Sequence, residues 1–207
     1  MFAKNGWKPP TQWTDLERPE FQGKLLLPPG SSAYGLYVLI ILARAHGGSE
    51  TNIEPGFAAL KKIAPGVVDW SDTFAKMSQF LQDGTAAIAF HGIAGALDMI
   101  KRGLPVAYTL PEPVYLSPTA MGVMKNAPNP AGARAFVNWW ISPEVLTYRA
   151  ETYGQTVTNK DVKLTPAAAS HLPDTTKLSH LVEIDYYAVL KQRQAWMDRF
   201  QREIIGG

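Results

Sequence analysis

The sequence predicts an α/β fold, and three observations carry that prediction. Strand-like and helix-like segments alternate through residues 24–110. The strand-like runs are short, apolar and bounded by Gly or Pro, the pattern of strands buried on both faces. The helical stretches between them repeat apolar residues at three- and four-residue spacing, giving each one face to bury. Such alternation specifies a sheet covered by helices on both sides.

Each element has its own local reason. The chain opens on "NGWKPPTQWTDLERPEF" (5–21), where Pro9 and Pro10 exclude regular structure and Thr14 is placed to cap a short turn. "GKLLLP" (23–28) reads as a first, buried strand. After "PPGSSAYG" a helix runs over 32–46, stopped by Gly47 and Gly48. In "NIEPGFAALKKIAP" (52–65), Phe57, Leu60 and Ile63 fall at helical spacing until Pro65. "VVDW" (67–70) is strand-like, and Ser71 is placed to cap a helix over 72–84 that lines up Phe74, Met77, Phe80 and Leu81. "TAAIAF" (85–90) enters a helix over 91–103 closed by Gly103, and "LPVAYTLP" (104–111) reads as another strand. Beyond residue 160 the character changes to helix and loop. The tail over 179–204 spaces Leu181, Ile184, Tyr187, Val189, Trp196 and Phe200 as one long helix.

Composition removes several function classes. Twenty basic residues against eighteen acidic ones leave a net charge of +2, with the basic residues scattered, so nucleic acid is not an expected partner. The longest apolar run, "LYVLIILA" (36–43), falls far short of the roughly 20 residues that span a bilayer. Without cysteine there is no disulfide, thiolate nucleophile or Cys-type metal site. His46, His91, His171 and His180 form no H-x-x-x-H pair, so neither a metal nor a cofactor is expected. "GSSAY" lacks the final Gly of a G-x-S-x-G elbow, and "PPGSSAYG" lacks the G-K-[ST] end of a phosphate loop. Catalysis is therefore not expected. "MFAKNGWKPPTQW" has no basic start, apolar stretch or small-residue cleavage site. As written the chain carries no signal peptide, and any leader would sit on a longer precursor.

Four stretches, in this order, resemble one family: "PPTQWTDLERPEFQGKLLLP" (9–28), "FLQDGTAAIAFHGIAGALDMIKRGLPVAYTLP" (80–111), "SPTAMGVMKNAPNPAGARAFVNWWISPEVLTYRAETYGQTVTN" (117–159) and "VKLTPAAASHLP" (162–173). The family is the extracytoplasmic solute-binding proteins of ABC importers, and within it the spermidine/putrescine-type group. The resemblance implies the second lobe of a type II periplasmic-binding-protein fold over residues 1–111. A crossover and return segment toward lobe one follows over 112–159, and a helical tail over 160–207 packs on the second lobe. Relatives carry most of a first lobe before "PPTQW", so the resemblance implies an N-terminally truncated receptor with its first lobe incomplete. It also implies a small-molecule solute (an amine, amino acid, phosphonate or similar), an ABC permease as partner and a periplasmic location. The alternative is a truncated relative acting as a protein-interaction or assembly module without high-affinity capture.

Family ligands lie in the cleft between lobes, held by loops at strand ends and by helix N-termini. The matching positions are Ser31, Ser32 and Tyr34, then Trp70, Ser71 and Asp72, then His91 and Gly92, and on the crossover Tyr115, Ser117 and Thr119. Structural roles compete at each place: Ser31 or Ser32 as helix caps, Ser71 as a cap beside a core Trp70, His91 as a structural histidine. Polyamine-binding members carry a carboxylate near the position of Thr119 and acids in the Ser31–Ser32 loop, and iron-binding members carry adjacent tyrosines near residues 90–92. This chain has neither, so its hydroxyl-rich walls suit a small anion or zwitterion. The return helix over 131–141 places Ala133, Phe136, Val137 and Trp140 on one face, with Trp139 off it. That stripe would bury against a lobe-one sheet the chain does not encode. A symmetric homodimer is the expected solution, by exchange of residues 116–159.

Overall fold

The computed structural model describes residues 1–115, 119–173 and 181–206, with only the backbone of His171, Leu181 and Val182. A short α1 (Phe2–Asn5) precedes two 3₁₀ turns, Trp13–Glu17 and Pro19–Phe21. Then come β1 (Leu25–Leu27), α2 (Ala33–Ala45), α3 (Glu54–Ile63), β2 (Val67–Trp70), α4 (Phe74–Asp83), β3 (Ile88–Ala89) and α5 (Ile93–Lys101). Beyond these lie β4 (Val114–Tyr115), α6 (Pro130–Trp140), α7 (Pro143–Tyr153), α8 (Pro166–His171), β5 (Leu181–Val182) and α9 (Tyr186–Phe200), ending in a π turn, Gln201–Ile205.

The main sheet is parallel, in the order β2-β1-β3. All three residues of the central β1 are buried. Because side chains alternate along a strand, Leu25 and Leu27 join one apolar cluster with α2, α3 and α9, while Leu26 joins another with Met77 of α4 and Met99 of α5. Helices therefore cover both faces, and the α/β architecture holds. α2 is apolar on nearly every side and buries Leu36 and Val38 through Ala43, as a helix enclosed by other elements must. Phe57, Leu60 and Ile63 of α3 pack beside it.

Some elements depart from the sequence reading, each for a local reason. Gln12, not Thr14, caps the first 3₁₀ turn, because the Asp15 carboxylate accepts the Thr11 and Gln12 amides at 2.7 and 3.1 Å. Thr73, not Ser71, stands at the N-cap of α4, and the Ser71 hydroxyl accepts the Thr73 amide. Residues 104–111 form no strand: Pro105 and Pro111 have no N–H to donate, and the Val106 amide turns back to the Leu104 carbonyl at 2.8 Å. The tail is not one helix. Leu181 and Val182 pair in parallel with Val114 and Tyr115, and α9 starts only where the Asp185 carboxylate accepts the Tyr187 and Ala188 amides. Tyr187, placed by spacing on the apolar face, is exposed. Trp196 and Phe200 do reach the core.

One buried charge ties this tail to the end of α2. Glu50, only 4% exposed, receives Arg44 through both carboxylate oxygens, at 3.0 and 2.5 Å. Arg44 also donates to the Glu183 carbonyl, and Glu50 accepts the Asp185 amide, each at 3.0 Å. Burial works to raise the Glu50 carboxyl, but the Arg44 and Asp185 hydrogen bonds outweigh it and hold the group below the usual carboxylate range. A carboxyl depressed on folding gives stability that is present above its unfolded value and lost as the pH falls through its folded one. Glu50→Gln should cost about 3 kcal/mol at neutral pH, the lower end for breaking a buried pair because Arg44 keeps some solvent contact. In urea titrations the gap between wild type and variant should close as the pH is lowered below about 4. A gap independent of pH would remove Glu50 as its source.

Candidate functional site

Parallel strands deliver their carboxyl ends, and the loops after them, to one edge of a sheet. Here that edge gathers Pro28–Ser32 after β1, Ser71–Thr73 after β2 and Phe90–Gly92 after β3. α2, which follows β1, packs on the Leu25/Leu27 face, whereas α5, which follows β3, packs on the Leu26 face. Chain direction thus splits between β1 and β3, and a split of this kind opens a crevice at the carboxyl ends of the two strands.

Tyr34 and His91 meet across that crevice, their ring centroids 5.5 Å apart. Tyr34 also contacts Phe90 at 6.0 Å, and Phe74 from α4 meets His91 edge-on at 6.4 Å. Gly92 caps α5 through its backbone, and a Cβ there would come within 3.2 Å of the Tyr34 hydroxyl. Three of the predicted site residues, one from the first turn of α2 and two from the loop after β3, are therefore one cluster. None of the three helices that start here, α2, α4 and α5, carries an acidic residue in its first turn.

The remaining candidates divide. Ser32 caps α2, accepting the Gly35 amide at 3.1 Å, while Ser31 is exposed beside it. Ser71 is tied to the sheet by its amide, which donates to the Leu27 carbonyl at 2.8 Å, and its hydroxyl lies 3.2 Å from that of Thr73. Asp72 stands half-buried in the same loop. Trp70 turns inward and packs edge-on against Phe200 at 5.3 Å. Tyr115 also leaves the crevice. Its ring lies against Trp13 at 6.2 Å, and its hydroxyl is buried without a hydrogen-bond partner among the described residues. Burial pushes the Tyr115 phenol up, with nearby Arg44 opposing the rise. Thr119 is exposed in the segment after β4, and Ser117 and His180 lie outside the described residues.

Sequence reasoning missed Phe74 and Gly95. Phe74 had been assigned to the core face of its helix, yet it also reaches His91. Gly95, one turn into α5, lies so near His91 that a Cβ would come within 2.6 Å of the imidazole Nδ1. The spacing H-G-x-x-G was the available signal.

The chain resembles known proteins over most of its length. Residues 1–174 match the family described as bacterial extracellular solute-binding protein, and the chain belongs to that family. It is 26% identical over 206 residues to a probable ABC transporter periplasmic-binding protein of Sinorhizobium fredii, covering 94% of this chain and 54% of that protein. It is 27% identical over 154 residues to the spermidine/putrescine-binding periplasmic protein of Escherichia coli, covering 72% and 43%. A crystal structure of an ABC transporter from Clostridium perfringens superposes with a TM-score of 0.75 at 21% identity, over 98% of this chain and 65% of that one. The last likeness establishes the fold, that of periplasmic binding proteins. The chain spans about half the length of the known relatives it matches.

The loop under the crevice has little freedom to move. A Cβ on Gly30 would lie 2.3 to 2.8 Å from Phe200 atoms, and Phe200 in turn holds Trp70. Gly30→Ala should therefore cost about 1–3 kcal/mol by overpacking. Urea denaturation with near-ultraviolet circular dichroism checks this, and an unchanged midpoint and aromatic signal would show that Phe200 gives way freely.

Proposed function

We propose that this chain is the solute-binding part of an ABC-importer receptor, using the carboxyl edge of its parallel sheet to hold a small polar or charged solute. The observation that carries the reading is the Tyr34–His91 contact, which joins the first turn of α2 to the β3 loop where chain direction splits. Ser31, Ser71 and Asp72 border the same edge and supply hydroxyls and one carboxylate. Family membership supports a receptor working with a membrane permease outside the cytoplasm. The relatives' names support solutes of the size of polyamines. Amines, amino acids and phosphonates are the classes the edge would take. Thr119 remains a candidate contact on the crossover; Trp70 and Tyr115 act, in this reading, by supporting the loops.

Thermal melting with spermidine, putrescine, γ-aminobutyrate, methylphosphonate and thiamine tests the proposal. A ligand at 100 times its Kd stabilises by about 2.7 kcal/mol. For a chain of this length that raises Tm by roughly 5–10 °C. One of these classes should do so. A flat response to all of them favours the other reading, an interaction module without solute capture.

Association is the second part of the proposal. No residue of α6 is buried. Phe136, Trp139 and Trp140 touch one another at 5.6 to 6.0 Å, yet Phe136 is 48% and Trp139 53% exposed, with Ile141 beside them. A face this apolar favours cover by a second copy, since a patch that meets itself across a two-fold axis closes after one step. Light scattering over a dilution series should give a dimer, and Phe136→Asp with Trp140→Asp should abolish it. A monomer at every concentration would sink this part alone.

A further inference from the structure

His91 sits in a seat made by missing side chains. Its Nδ1 lies 3.2 Å from the carbonyl of Gly92, which also accepts the Gly95 amide at 3.0 Å. A Cβ at Gly95 would fall 2.6 Å from Nδ1 and 2.9 Å from Cε1, so the ring rests flat on the first turn of α5 only because residue 95 has no side chain. The Tyr34 and Phe74 rings both contact it, at 5.5 and 6.4 Å. A carbonyl oxygen has no proton to give, so the contact is a hydrogen bond only when Nδ1 carries the hydrogen. In the neutral ring Nε2 is then an acceptor, and it has no partner among the described residues.

We infer that Gly95 is a specificity-determining positioning residue, seating His91 with its hydrogen on Nδ1 so that Nε2 accepts a hydrogen bond from the solute. This rests on the receptor reading above and narrows it to solutes that present an N–H or O–H donor, such as ammonium groups. An anion with no hydrogen to donate would meet a lone pair. Gly95→Ala separates this role from a structural one. Alanine favours the helix more than glycine does, so the fold should persist while the methyl lifts the ring off the Gly92 carbonyl.

The experiment is nitrogen-15 NMR of histidine-labelled protein, alone and with spermidine, γ-aminobutyrate or inorganic sulfate at pH 8. Free wild type should show His91 protonated at Nδ1, and Gly95→Ala should lose that signature. An amine probe should move the Nε2 resonance, bind at least tenfold more weakly to Gly95→Ala, and lose binding in His91→Phe, which keeps a ring but no acceptor. Wild-type His91 protonated at Nε2 would overturn the inference, whether or not any solute binds. So would an amine that binds without moving Nε2, or sulfate binding in its place. The expected tautomer with no probe bound would support the seat and count against the receptor reading instead.

Discussion

The central strand β1 has to satisfy two helical layers with three residues. Leu25 and Leu27 point into one layer and Leu26 into the other, and all three are essentially excluded from solvent. Apolar burial on this scale is worth roughly 1.5–3 kcal/mol for each side chain. The geometry matters as much as the energy. Fixing β1 fixes where its neighbours' ends fall, because β2 and β3 take their register from it. The loops that form the crevice begin one residue beyond those registers. A one-residue slip would exchange the two leucine faces and misplace every loop.

A second constraint holds the far part of the chain. β4 and β5 are two residues each and could not stand alone. They lie together because Arg44 and Glu50, both reached from the end of α2, grip the backbone at Glu183 and Asp185. Asp185 then starts α9, which carries Trp196 and Phe200 back to the core. Farther along, Arg199 binds Glu54 through two hydrogen bonds and lies 4.0 Å above the Phe57 ring, holding α9 against α3. Charged pairs thus set the tail's path while apolar contacts supply most of its stability.

What could be read from the sequence follows from how local each signal is. The helix over 33–45 was legible because Ser32, the apolar run and the glycines after it all act within one segment. The strand at 25–27 was legible for the same reason, with Gly and Pro on either side. The long tail helix was misread because Leu181 and Val182 look helical by spacing, and only their pairing with β4 makes them strand. Residues 104–111 look like a strand until one asks where their amides can donate. At the site, fold resemblance points to Ser32, Tyr34, His91 and Gly92, and the folded chain brings Tyr34, His91 and Gly92 together at the carboxyl edge of the sheet. The inward turn of Trp70 was not legible, since it depends on Phe200, 130 residues later. The place of Tyr115 above Arg44 was likewise a long-range fact.

The grip of α5 on α7 has a mechanical meaning. Lys101, its last residue, donates to the Glu151 and Thr152 carbonyls at the end of α7, and Gly154 admits Leu97 against the backbone there. The first turn of the same helix holds His91. α5 is therefore a strut about 13 Å long, with the crevice at one end and α7 at the other. α6 packs on α7, so the strut puts the crevice and the aromatic face of α6 on one continuous line of contacts.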